Sequence, residues 1–317
     1  MENIHPEIVV IGSCMIDLMC YTPHLPKVGE TLHGYKFKKD CGGKGANQCV
    51  AAARLGASTA LIAKLGDDTF GKEYKKHLIA NHINADYVKL IPGVSCGIAQ
   101  ISVADNGDNT IVIVAGANNL LNTKDIQDGT QLLSKAAVAV FQFETPIETT
   151  IDALLLIKKI NNKCVTIVNA APAASNIDKR LYSLSDIFCV NESEAELMSG
   201  LPTSTVDQCK GALQWFLNVG CNIIIITLGK NGVVFASKDS KTPSHEPAEF
   251  VQNPVDTTGA GDVFIGALSF CLARYKDWSL NRKIRVSCSV AAASIMKAGT
   301  QSSFPSITEL NSNLFTG

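Results

Sequence analysis

Short apolar runs alternate along the chain with stretches of helical periodicity. Buried strands are predicted at residues 7–11, 59–64, 137–141, 164–169, 186–190 and 222–228. Helices are predicted at residues 47–55, 71–80, 148–160, 207–219, 263–275 and 280–297. Because strands that alternate with helices and are apolar on both faces form covered parallel sheets, the pattern predicts a doubly wound α/β fold with a mostly parallel sheet and helices on both faces. In such folds ligands bind beyond the carboxyl ends of the strands.

Two segments interrupt this alternation and predict a second, smaller β-layer. Residues 35–39 follow a turn that contains proline and glycine, and residues 97–103 and 110–114 flank the hairpin sequence DNGD. We expect a small β-sheet lid, formed from about 17–40 and 95–115, that covers a site, pairs with a second subunit, or does both. A solvent-facing hairpin is the alternative, although an unpaired apolar edge is unfavourable in water.

Composition and charge exclude several classes of protein. Of the 317 residues, 46% are hydrophobic and 18% are charged, which is enough apolar material for a sizeable core. The net charge of -1 offers no basic surplus for a phosphate backbone, so no nucleic-acid partner is expected. No apolar run is long enough to span a membrane, and residues 1–6 do not have the regions of a signal peptide. The 11 cysteines form no C-x-x-C pair, which is typical of reduced thiols, so we expect a cytoplasmic protein, with the nucleus left open.

A glycine-rich turn opens the first of the two C-terminal helices, where residues 256–262 read DTTGAGD. Glycine lets a ligand approach the backbone closely, and the free N–H groups of a first helical turn bind anions. The helix dipole favours a negative side chain there, and Asp262 supplies one. The turn could therefore donate N–H groups to a transferring phosphoryl group beside a carboxylate that accepts a hydroxyl proton. A helix capped by one of the preceding threonines, without a catalytic role, is the alternative.

A second glycine turn opens an earlier helix, where residues 42–48 read GGKGANQ. It is not a Walker loop, because no serine or threonine follows the lysine. The first strand is not followed by G-x-G-x-x-G either, so a dinucleotide fold of the dehydrogenase type has no support. Lys44 and Asn47 would project from the first turn and could bind hydroxyls or phosphate. A closely packed helix start without a ligand is the alternative.

Two further strand ends carry polar residues. Asn191 and Glu194 follow the strand at 186–190 and could face a metal–phosphate through water, as suits magnesium, or could simply complement a helix dipole. Residues 227–232 read TLGKNG and form either a hairpin or a nucleotide-phosphate loop. The six histidines form no zinc motif and the chain has no G-x-S-x-G elbow, so hydrolase and zinc-enzyme interpretations have no support.

These segments, in this order, resemble the pfkB-type carbohydrate kinases. Residues 42–48 are similar to the first signature of that family, and residues 256–262 to its second. Further similar pieces lie at 12–17, 115–118, 143–146, 191–196 and 298–303. The resemblance runs from about 7 to 305 and implies one kinase domain over 1–317, with the doubly wound α/β fold and the β-lid.

The resemblance also implies an activity and a set of residues for it. ATP would donate its γ-phosphoryl group to the primary hydroxyl of a sugar, with D-ribose as the expected acceptor and Asp262 as the general base. The implied anion hole is formed by Gly259, Ala260 and Gly261. The residues implied to hold the sugar are Asp17, Gly43, Lys44, Asn47, Glu144 and Asp262. Those implied to serve the nucleotide and its Mg²⁺ are Asn191, Glu194, Thr227, Gly229, Gly232, Gly261 and Cys288. Those implied for a monovalent cation, expected to be K⁺, are Asp256, Thr258, Ser294, Lys297, Gly299 and Ser303, several through backbone carbonyls.

Three positions depart from the pattern of the family. Met15 stands where some relatives have a sugar-contacting asparagine, Cys288 stands where an adenine-contacting asparagine is often found, and residues 169–172 read NAAP instead of NPAP. Relatives that act on deoxyribose, fructose or nucleosides share both signatures, so these acceptors stay alternatives. A non-catalytic sugar- or nucleotide-binding protein on the same fold is another, against which the retention of Asp262 and both glycine turns argues. The resemblance also implies a homodimer that pairs through the lids.

Overall fold

Thirteen strands and ten α-helices make up the part of the chain that the computed structural model describes, residues 5–175, 177–240 and 242–316. The strands are β1 (Ile8–Ile11), β2 (Met15–Thr22), β3 (Lys36–Gly42), β4 (Thr59–Gly66), β5 (Val88–Ile91), β6 (Gly97–Ala104), β7 (Asn109–Val114), β8 (Val138–Gln142), β9 (Val165–Asn169), β10 (Ile187–Asn191), β11 (Ile223–Thr227), β12 (Val233–Ser237) and β13 (Ser244–Glu246). The helices are α1 (Lys44–Arg54), α2 (Thr69–Ala80), α3 (Thr123–Asp128), α4 (Thr130–Leu133), α5 (Ile147–Ile160), α6 (Arg180–Leu184), α7 (Glu192–Ser199), α8 (Val206–Val219), α9 (Ala260–Arg274) and α10 (Leu280–Ser294). Short 3-10 helices lie at Gly116–Leu120, Gly229–Asn231, Gln301–Ser303, Ile307–Glu309 and Ser312–Phe315.

Nine strands form the main sheet, in the order β13-β12-β11-β10-β9-β8-β1-β4-β5. The strands from β11 to β5 pair in parallel, whereas β12 and β13 add an antiparallel edge that the sequence analysis did not include. The chain runs outward from β1 to β4 and β5, and it then returns to β8 and continues on the other side of β1. The strand order therefore reverses between β1 and β8, which is where sheets of this type open a binding crevice.

Helices cover both faces of this sheet, and the strands divide their side chains between two cores. On β1, Ile8 and Val10 belong to one core, and Val9 and Ile11 belong to the other. Helices α1, α2, α9 and α10 cover the first core, and α3 to α8 cover the second. The predicted doubly wound architecture is confirmed. Among the described residues, no helix combines the length and apolar character that a membrane span requires.

Glycines let α1 pack closely against α9 and against the segment that follows β1. A Cβ atom added at Gly266 of α9 would lie 2.5 Å from the Cβ of Ala51 and 2.8 Å from the carbonyl oxygen of Gln48. A Cβ atom added at Gly45 of α1 would lie 2.5 Å from the backbone nitrogen of Ser13. The two helices that follow the glycine turns therefore meet at the end of β1, beside the reversal in strand order.

Four strands, in the order β3-β2-β6-β7, form a separate smaller sheet, which we call the lid. The predicted strands at 35–39, 97–103 and 110–114 correspond to β3, β6 and β7, and β2 is an additional central strand. Every residue of β7 is exposed, and its four apolar side chains are 52–63% exposed. Only three residues separate β1 from β2, and only Gly43 separates β3 from α1. The lid is thus an open-edged sheet joined to the main domain by very short connections.

Candidate active site

A cavity of about 220 Å³ lies beyond the carboxyl ends of the main-sheet strands. Asn169, Asn191 and Thr227 are the last residues of β9, β10 and β11, so three neighbouring strands each place a polar side chain at its wall. The start of α1 and the glycine turn before α9 form the rest of the wall. The lining residues are Lys44, Asn169, Ala171, Cys189, Asn191, Glu194, Thr227, Thr257, Gly259, Ala260, Gly261, Asp262 and Ile265.

The glycine turn before α9 leaves backbone N–H groups free at the cavity. Gly259 is the N-cap residue, with a left-handed φ of 78°, and no side chain caps the helix. The N–H group of Ala260 donates to Thr257, but those of Gly261 and Asp262 donate to no residue in the described part of the chain. The alternative of a threonine-capped helix is therefore wrong. The free donors at a helix start are the arrangement that binds an anion.

Two amide side chains of α1 hold the carboxylate of Asp262. The Nδ2 atom of Asn47 donates to Oδ2 at 2.9 Å, and the Nε2 atom of Gln48 donates to Oδ1 at 2.9 Å. Asp262 is only 7% exposed, so both bonds form in a site from which water is largely excluded. The carboxylate is consequently fixed in direction, beside the free N–H groups of its own helix.

The hold on Asp262 extends into the ends of the main-sheet strands. Gln48 Nε2 also donates to Asn169 Oδ1 at 2.9 Å, and Gln142 Nε2 donates to Gln48 Oε1 at 2.7 Å. Gln142 and Asn169 are register partners at the ends of β8 and β9. The sequence analysis assigned no role to Gln48 or Gln142. A glutamine that closes an otherwise apolar strand was the one available signal for Gln142.

The residues predicted to hold a sugar lie together between α1 and the lid. Glu144 Oε2 accepts a hydrogen bond from the backbone nitrogen of Lys44 at 2.7 Å and another from the hydroxyl of Ser13. The carboxylate of Asp17, on β2, packs against Gly42, where an added Cβ would lie 2.2 Å from Oδ2. Asp17 accepts no hydrogen bond from any residue that the structure describes. Its oxygens are therefore available to a polyol.

Two ammonium groups, those of Lys38 and Lys44, lie among several carboxylates in this region. Burial and the nearby carboxylates of Asp40 and Glu144 together raise the pKa of Asp17 to about 7, although Lys38 opposes this rise. Burial also raises the pKa of Glu144, although Lys44 opposes this. Burial acts to lower the pKa of Lys44, but the carboxylates of Asp262 and Glu144 outweigh it, so the pKa of Lys44 is raised. Lys44 therefore stays charged and adds a positive group to the cavity wall.

On the opposite wall, Asn191 and Glu194 form a capping box at the start of α7. Asn191 Oδ1 accepts from the Glu194 nitrogen at 2.8 Å, and Glu194 Oε2 accepts from the Asn191 nitrogen at 2.8 Å. Burial raises the pKa of Glu194, and the hydrogen bond from Asn191 and the charge of Lys44 oppose this rise. The helix-start interpretation is confirmed, and the same two side chains also face the cavity.

The TLGKNG segment is a hairpin, because β11 and β12 pair antiparallel on either side of it. Thr227 lies on the cavity wall, whereas Gly229, Gly232 and Cys288 are not among the lining residues. Gly232 has its own packing reason, since an added Cβ would lie 2.1 Å from the carbonyl oxygen of Glu246. Cys288 is buried in α10, and burial raises the pKa of its thiol to about 12.

The comparisons with known proteins agree with this geometry. The model of the pfkB family carbohydrate kinases matches residues 5–307. The chain belongs to this family. It is 44% identical to ribokinase of Mus musculus over 308 residues, which cover 97% of the chain and 94% of that protein. It is 39% identical to deoxyribokinase of Salmonella typhi over 310 residues, which cover 97% and 98% of the two chains. The structure of Arabidopsis thaliana ribokinase complexed with ribose and ATP superposes with a TM-score of 0.91 at 27% identity, covering 99% of this chain and 100% of that one.

The segment of this carbohydrate kinase that resembles a monovalent-cation site joins two loops. Asp256 Oδ1 accepts from the backbone nitrogen of Thr258 at 2.9 Å, and Oδ2 accepts from that of Gly299 at 2.9 Å. Burial acts to raise the pKa of Asp256, but these two N–H donors outweigh it and lower the pKa. The carboxylate thus stays ionised while it ties the turn before α9 to the loop after α10.

The other side chains of that segment are engaged elsewhere. The hydroxyl of Ser294 donates to the carbonyl of Ala291 at 2.8 Å, and that of Ser303 donates to the carbonyl of Thr300 at 2.9 Å. The ammonium of Lys297 pairs with Glu309. No group of three or more His, Cys, Asp or Glu side chains suited to a metal ion occurs among the described residues. A cation here would therefore depend on backbone carbonyls, as the resemblance implies.

Proposed function

We propose that this carbohydrate kinase transfers the γ-phosphoryl group of ATP to the primary hydroxyl of D-ribose. The observation that carries the proposal is the Asp262 carboxylate, which two buried amides hold beside the free N–H groups at the start of α9. The similarity to mouse ribokinase and to the plant ribokinase bound to ribose and ATP supports both substrates.

In this proposal Asp262 is the general base. Its hydrogen bonds from Asn47 and Gln48 leave lone pairs on both oxygens, so the carboxylate can accept the hydroxyl proton while its direction stays fixed. The hydroxyl oxygen then bonds to the γ-phosphorus, the bond from that phosphorus to the β–γ bridging oxygen breaks, and ADP leaves. In the predicted anion hole of Gly259, Ala260 and Gly261, the Ala260 N–H group is engaged by Thr257, so the free N–H groups of Gly261 and Asp262 would face the charge on the moving phosphoryl group.

The sugar would lie between α1 and the lid. Asp17 and Glu144 offer acceptors for its hydroxyls, Lys44 and Asn47 offer donors, and Gly43 lets the chain approach closely. A site built from hydrogen-bonding groups discriminates strongly, because a missing hydroxyl leaves a buried polar group unpaired.

A second candidate acceptor is 2-deoxy-D-ribose. Met15 is 4% exposed at the start of β2, and its backbone nitrogen would lie 2.7 Å from a Cβ added at Gly43. The backbone of Met15 therefore lies beside Gly43, a residue proposed to bind the sugar, and the side chain of Met15 carries no hydrogen-bond donor. A position that offers no donor favours an acceptor with one hydroxyl fewer, and the similarity to a deoxyribokinase is in keeping with this.

Nucleotide and cations would occupy the other wall and the neighbouring loops. Asn191, Glu194 and Thr227 suit Mg²⁺ bound to ATP, because carboxylate and amide oxygens are the groups that bind this ion directly or through water. Gly229, Gly232 and Cys288 would serve the rest of the nucleotide. K⁺ is bound by oxygen ligands, and here the backbone carbonyls of the two loops that Asp256 joins would supply them. When bound, K⁺ would add positive potential near the phosphates. The residues proposed for it are Asp256, Thr258, Ser294, Lys297, Gly299 and Ser303.

The proposal extends to assembly and location. The exposed apolar strand β7 and the open edge of the lid suit a homodimer that pairs lid to lid. The 11 free cysteines, most of them buried, suit a reducing compartment such as the cytoplasm.

The test is ATP turnover measured with D-ribose, 2-deoxy-D-ribose, D-fructose and adenosine, each in potassium, sodium and a bulky organic cation. We expect the highest kcat/KM for D-ribose and a higher rate in potassium. A higher kcat/KM for fructose or adenosine would remove the ribose assignment and leave the kinase. No ATP consumption with any acceptor would favour a binding protein on the same fold. Equal rates in the three salts, with both substrates saturating, would contradict the K⁺ assignment.

A further inference from the structure

A buried glutamine contacts Asn47 on the side away from Asp262, the proposed base. Gln301 is 1% exposed and belongs to the short helix Gln301–Ser303, in the loop that follows α10. Its Nε2 atom donates to Asn47 Oδ1 at 2.9 Å and to the hydroxyl oxygen of Tyr74 at 2.9 Å. Its Oε1 atom is 2.8 Å from Nε2 of His77, which donates to it. Every polar atom of the Gln301 side chain is therefore used.

The partners determine which way each amide faces. The hydroxyl of Tyr74 donates to the carbonyl of Gly42 at 2.6 Å, so its oxygen must accept from Gln301. The nitrogen of Gln301 therefore faces Asn47 and meets an oxygen there. With that oxygen fixed, the nitrogen of Asn47 points at Asp262 Oδ2. The reversed amide would place an oxygen against a carboxylate, which is repulsive and would remove the hydrogen bond.

We propose that Gln301 is a positioning residue for phosphoryl transfer, which fixes the Asn47 amide and through it the direction of the Asp262 carboxylate. This inference depends on the proposed role of Asp262 as the base. It gives the loop after α10 a direct connection to the reaction, because two hydrogen bonds join that loop to the carboxylate. The same loop holds Asp256 through the backbone nitrogen of Gly299.

The charged groups around Asp262 come from other elements and do not touch Gln301. They are Lys44 at the start of α1, Glu144 after β8, Glu194 on α7 and Asp17 on the lid. His77, the titratable group that contacts Gln301, reaches Asp262 only through Gln301 and Asn47. An uncharged replacement at position 301 therefore acts on Asp262 by way of Asn47, while the surrounding charges stay the same.

The first test replaces Gln301 by residues of similar size that cannot donate. In Gln301→Leu and in Gln301→Glu at neutral pH, kcat should fall about 10- to 100-fold, part of the 10²–10⁴-fold that a general base provides. KM for ATP should stay within about two-fold, because Gln301 does not line the cavity. The acidic limb of the kcat–pH profile should move to higher pH, because the Asn47 amide is no longer fixed with its N–H group toward the ionised carboxylate. Gln301→Glu keeps the size and the acceptor for His77 but adds a charge, whereas Gln301→Leu adds none, so both variants must lower kcat and move the profile for the lost donor to be the cause.

The matched control is Tyr74→Phe, which removes one partner of Gln301, while the hydrogen bond from His77 to Oε1 still keeps the Gln301 nitrogen toward Asn47. We expect its kcat within about three-fold of the wild type and an unmoved acidic limb. Equilibrium unfolding of each variant establishes that it is folded. If Gln301→Leu and Gln301→Glu both keep kcat within two-fold and leave the pH profile unmoved, or if Tyr74→Phe moves that profile as much as they do, the inference is wrong.

A double variant tests whether Gln301 acts through Asn47. In an Asn47→Leu background, Gln301→Leu should lower kcat by no more than about two-fold further, because the amide that it positions is gone. A further loss of 10-fold or more would overturn the inference.

Asp262→Asn separates this inference from the proposed function. If Asp262→Asn keeps most of its turnover, the proposed base is wrong, and the inference is lost with it. If Asp262→Asn is inactive and the Gln301 variants are not impaired, only the inference is lost.

Discussion

We call α1, the start of α9 and the loop after α10 the floor of the site. The floor and the lid differ in how many of their groups are already hydrogen-bonded or buried. On the floor, the buried amides of Asn47 and Gln48 donate hydrogen bonds to Asp262, and the buried amide of Gln301 donates one to Asn47. On the lid, every residue of β7 is exposed, and Phe37 of β3 is 61% exposed. The carboxylate of Asp262 is held by hydrogen bonds before any ligand binds, and free N–H groups lie beside it for an anion, whereas the lid still has apolar surface and a strand edge to cover.

This difference separates two tasks of a phosphoryl-transfer site. A base and an anion hole work best when they are already oriented, because then no rearrangement opposes the reaction. A cover must open for the sugar and close over it to keep water from the phosphoryl group. The floor therefore suits catalysis and the lid suits exchange of substrates, and each of the following changes tests one side of this comparison.

The largest effect is expected on the floor, at Asp262. Asp262→Asn keeps the size of the side chain but removes the proton acceptor, so turnover should fall by about 10²–10⁴-fold while ribose and ATP still bind. Steady-state kinetics and calorimetric titration measure the two quantities. The exposed carboxyl of Asp86 supplies the control, and Asp86→Asn should leave turnover unchanged. An Asp262→Asn variant with more than half of the wild-type activity would rule out the base.

The next effect concerns Asp17, the carboxylate that the lid contributes. Its pKa of about 7 in the folded state lies above the ordinary value near 3.9, so the folded state holds the proton more tightly. Its contribution to stability is fully present below about pH 4 and is lost as the pH rises through 7. Asp17→Asn should therefore be more stable than the wild type at pH 8, by at most about 4 kcal/mol, with a smaller gain at pH 5.

Chemical unfolding at the two pH values measures this gain. The control is Asp108→Asn in the exposed hairpin turn of the lid, which should change stability equally at both. A gain for Asp17→Asn that does not depend on pH would contradict the assignment of the burial effect to this carboxyl.

A smaller effect is expected where the two helices of the floor touch. Gly266→Ala places a Cβ 2.5 Å from that of Ala51, which should destabilise the fold by about 1–3 kcal/mol and lower kcat, because Gln48 lies at the same contact. Gly211 of α8 has open space around it, so Gly211→Ala is the matched control and should stabilise by about 0.5–1 kcal/mol. Equal effects of the two changes in equilibrium unfolding would show that the helix contact tolerates more volume than its geometry indicates.

The smallest energetic effects are expected on the lid. Amide hydrogen exchange over 97–114 should slow when ribose binds, while exchange in the buried strand β1 should not change, since it is protected already.

Ile113→Glu should weaken self-association in sedimentation measurements, because it puts a charge on the exposed strand β7. Leu155→Glu, on an exposed face of α5, should not weaken it. Unchanged exchange at saturating ribose would refute the lid role, and a protein that stays monomeric at high concentration would remove the dimer.

Sequence patterns were sufficient to predict the strands and helices whose apolar residues form continuous runs or recur at helical spacing. The six predicted main-sheet strands are all present, within two residues at each end, because continuous apolar runs are what a sheet buried on both faces requires. The helix that opens at the first glycine turn begins at Lys44, three residues before the predicted start, because the turn residues themselves are helical. Strand β2 was not predicted, since its mixture of buried and exposed positions has no clean alternation.

The candidate site was predicted as a set of residues but not as a network. Asp262 and Asn47 were named because they lie in glycine turns, which are local signals. Gln142 and Gln301 were not, because their partners lie about 94 and 254 positions away in the chain, and no local pattern links them. Such long-range amide contacts exist only once the strand ends and the loop after α10 have come together.

The short connections between the lid and the main domain have a mechanical consequence. Three residues lead from β1 into β2, and Gly43 alone leads from β3 into α1, so we expect the lid to turn about these connections, beside the residues proposed to hold the sugar. Asp17 lies on the lid, and Lys44 and Asn47 lie on α1 of the main domain. Any change in the angle between the lid and the main domain would then also change the width of the proposed sugar pocket. A sugar bound to both the lid and the main domain would fix that angle, and the closure that its own binding causes would slow its release.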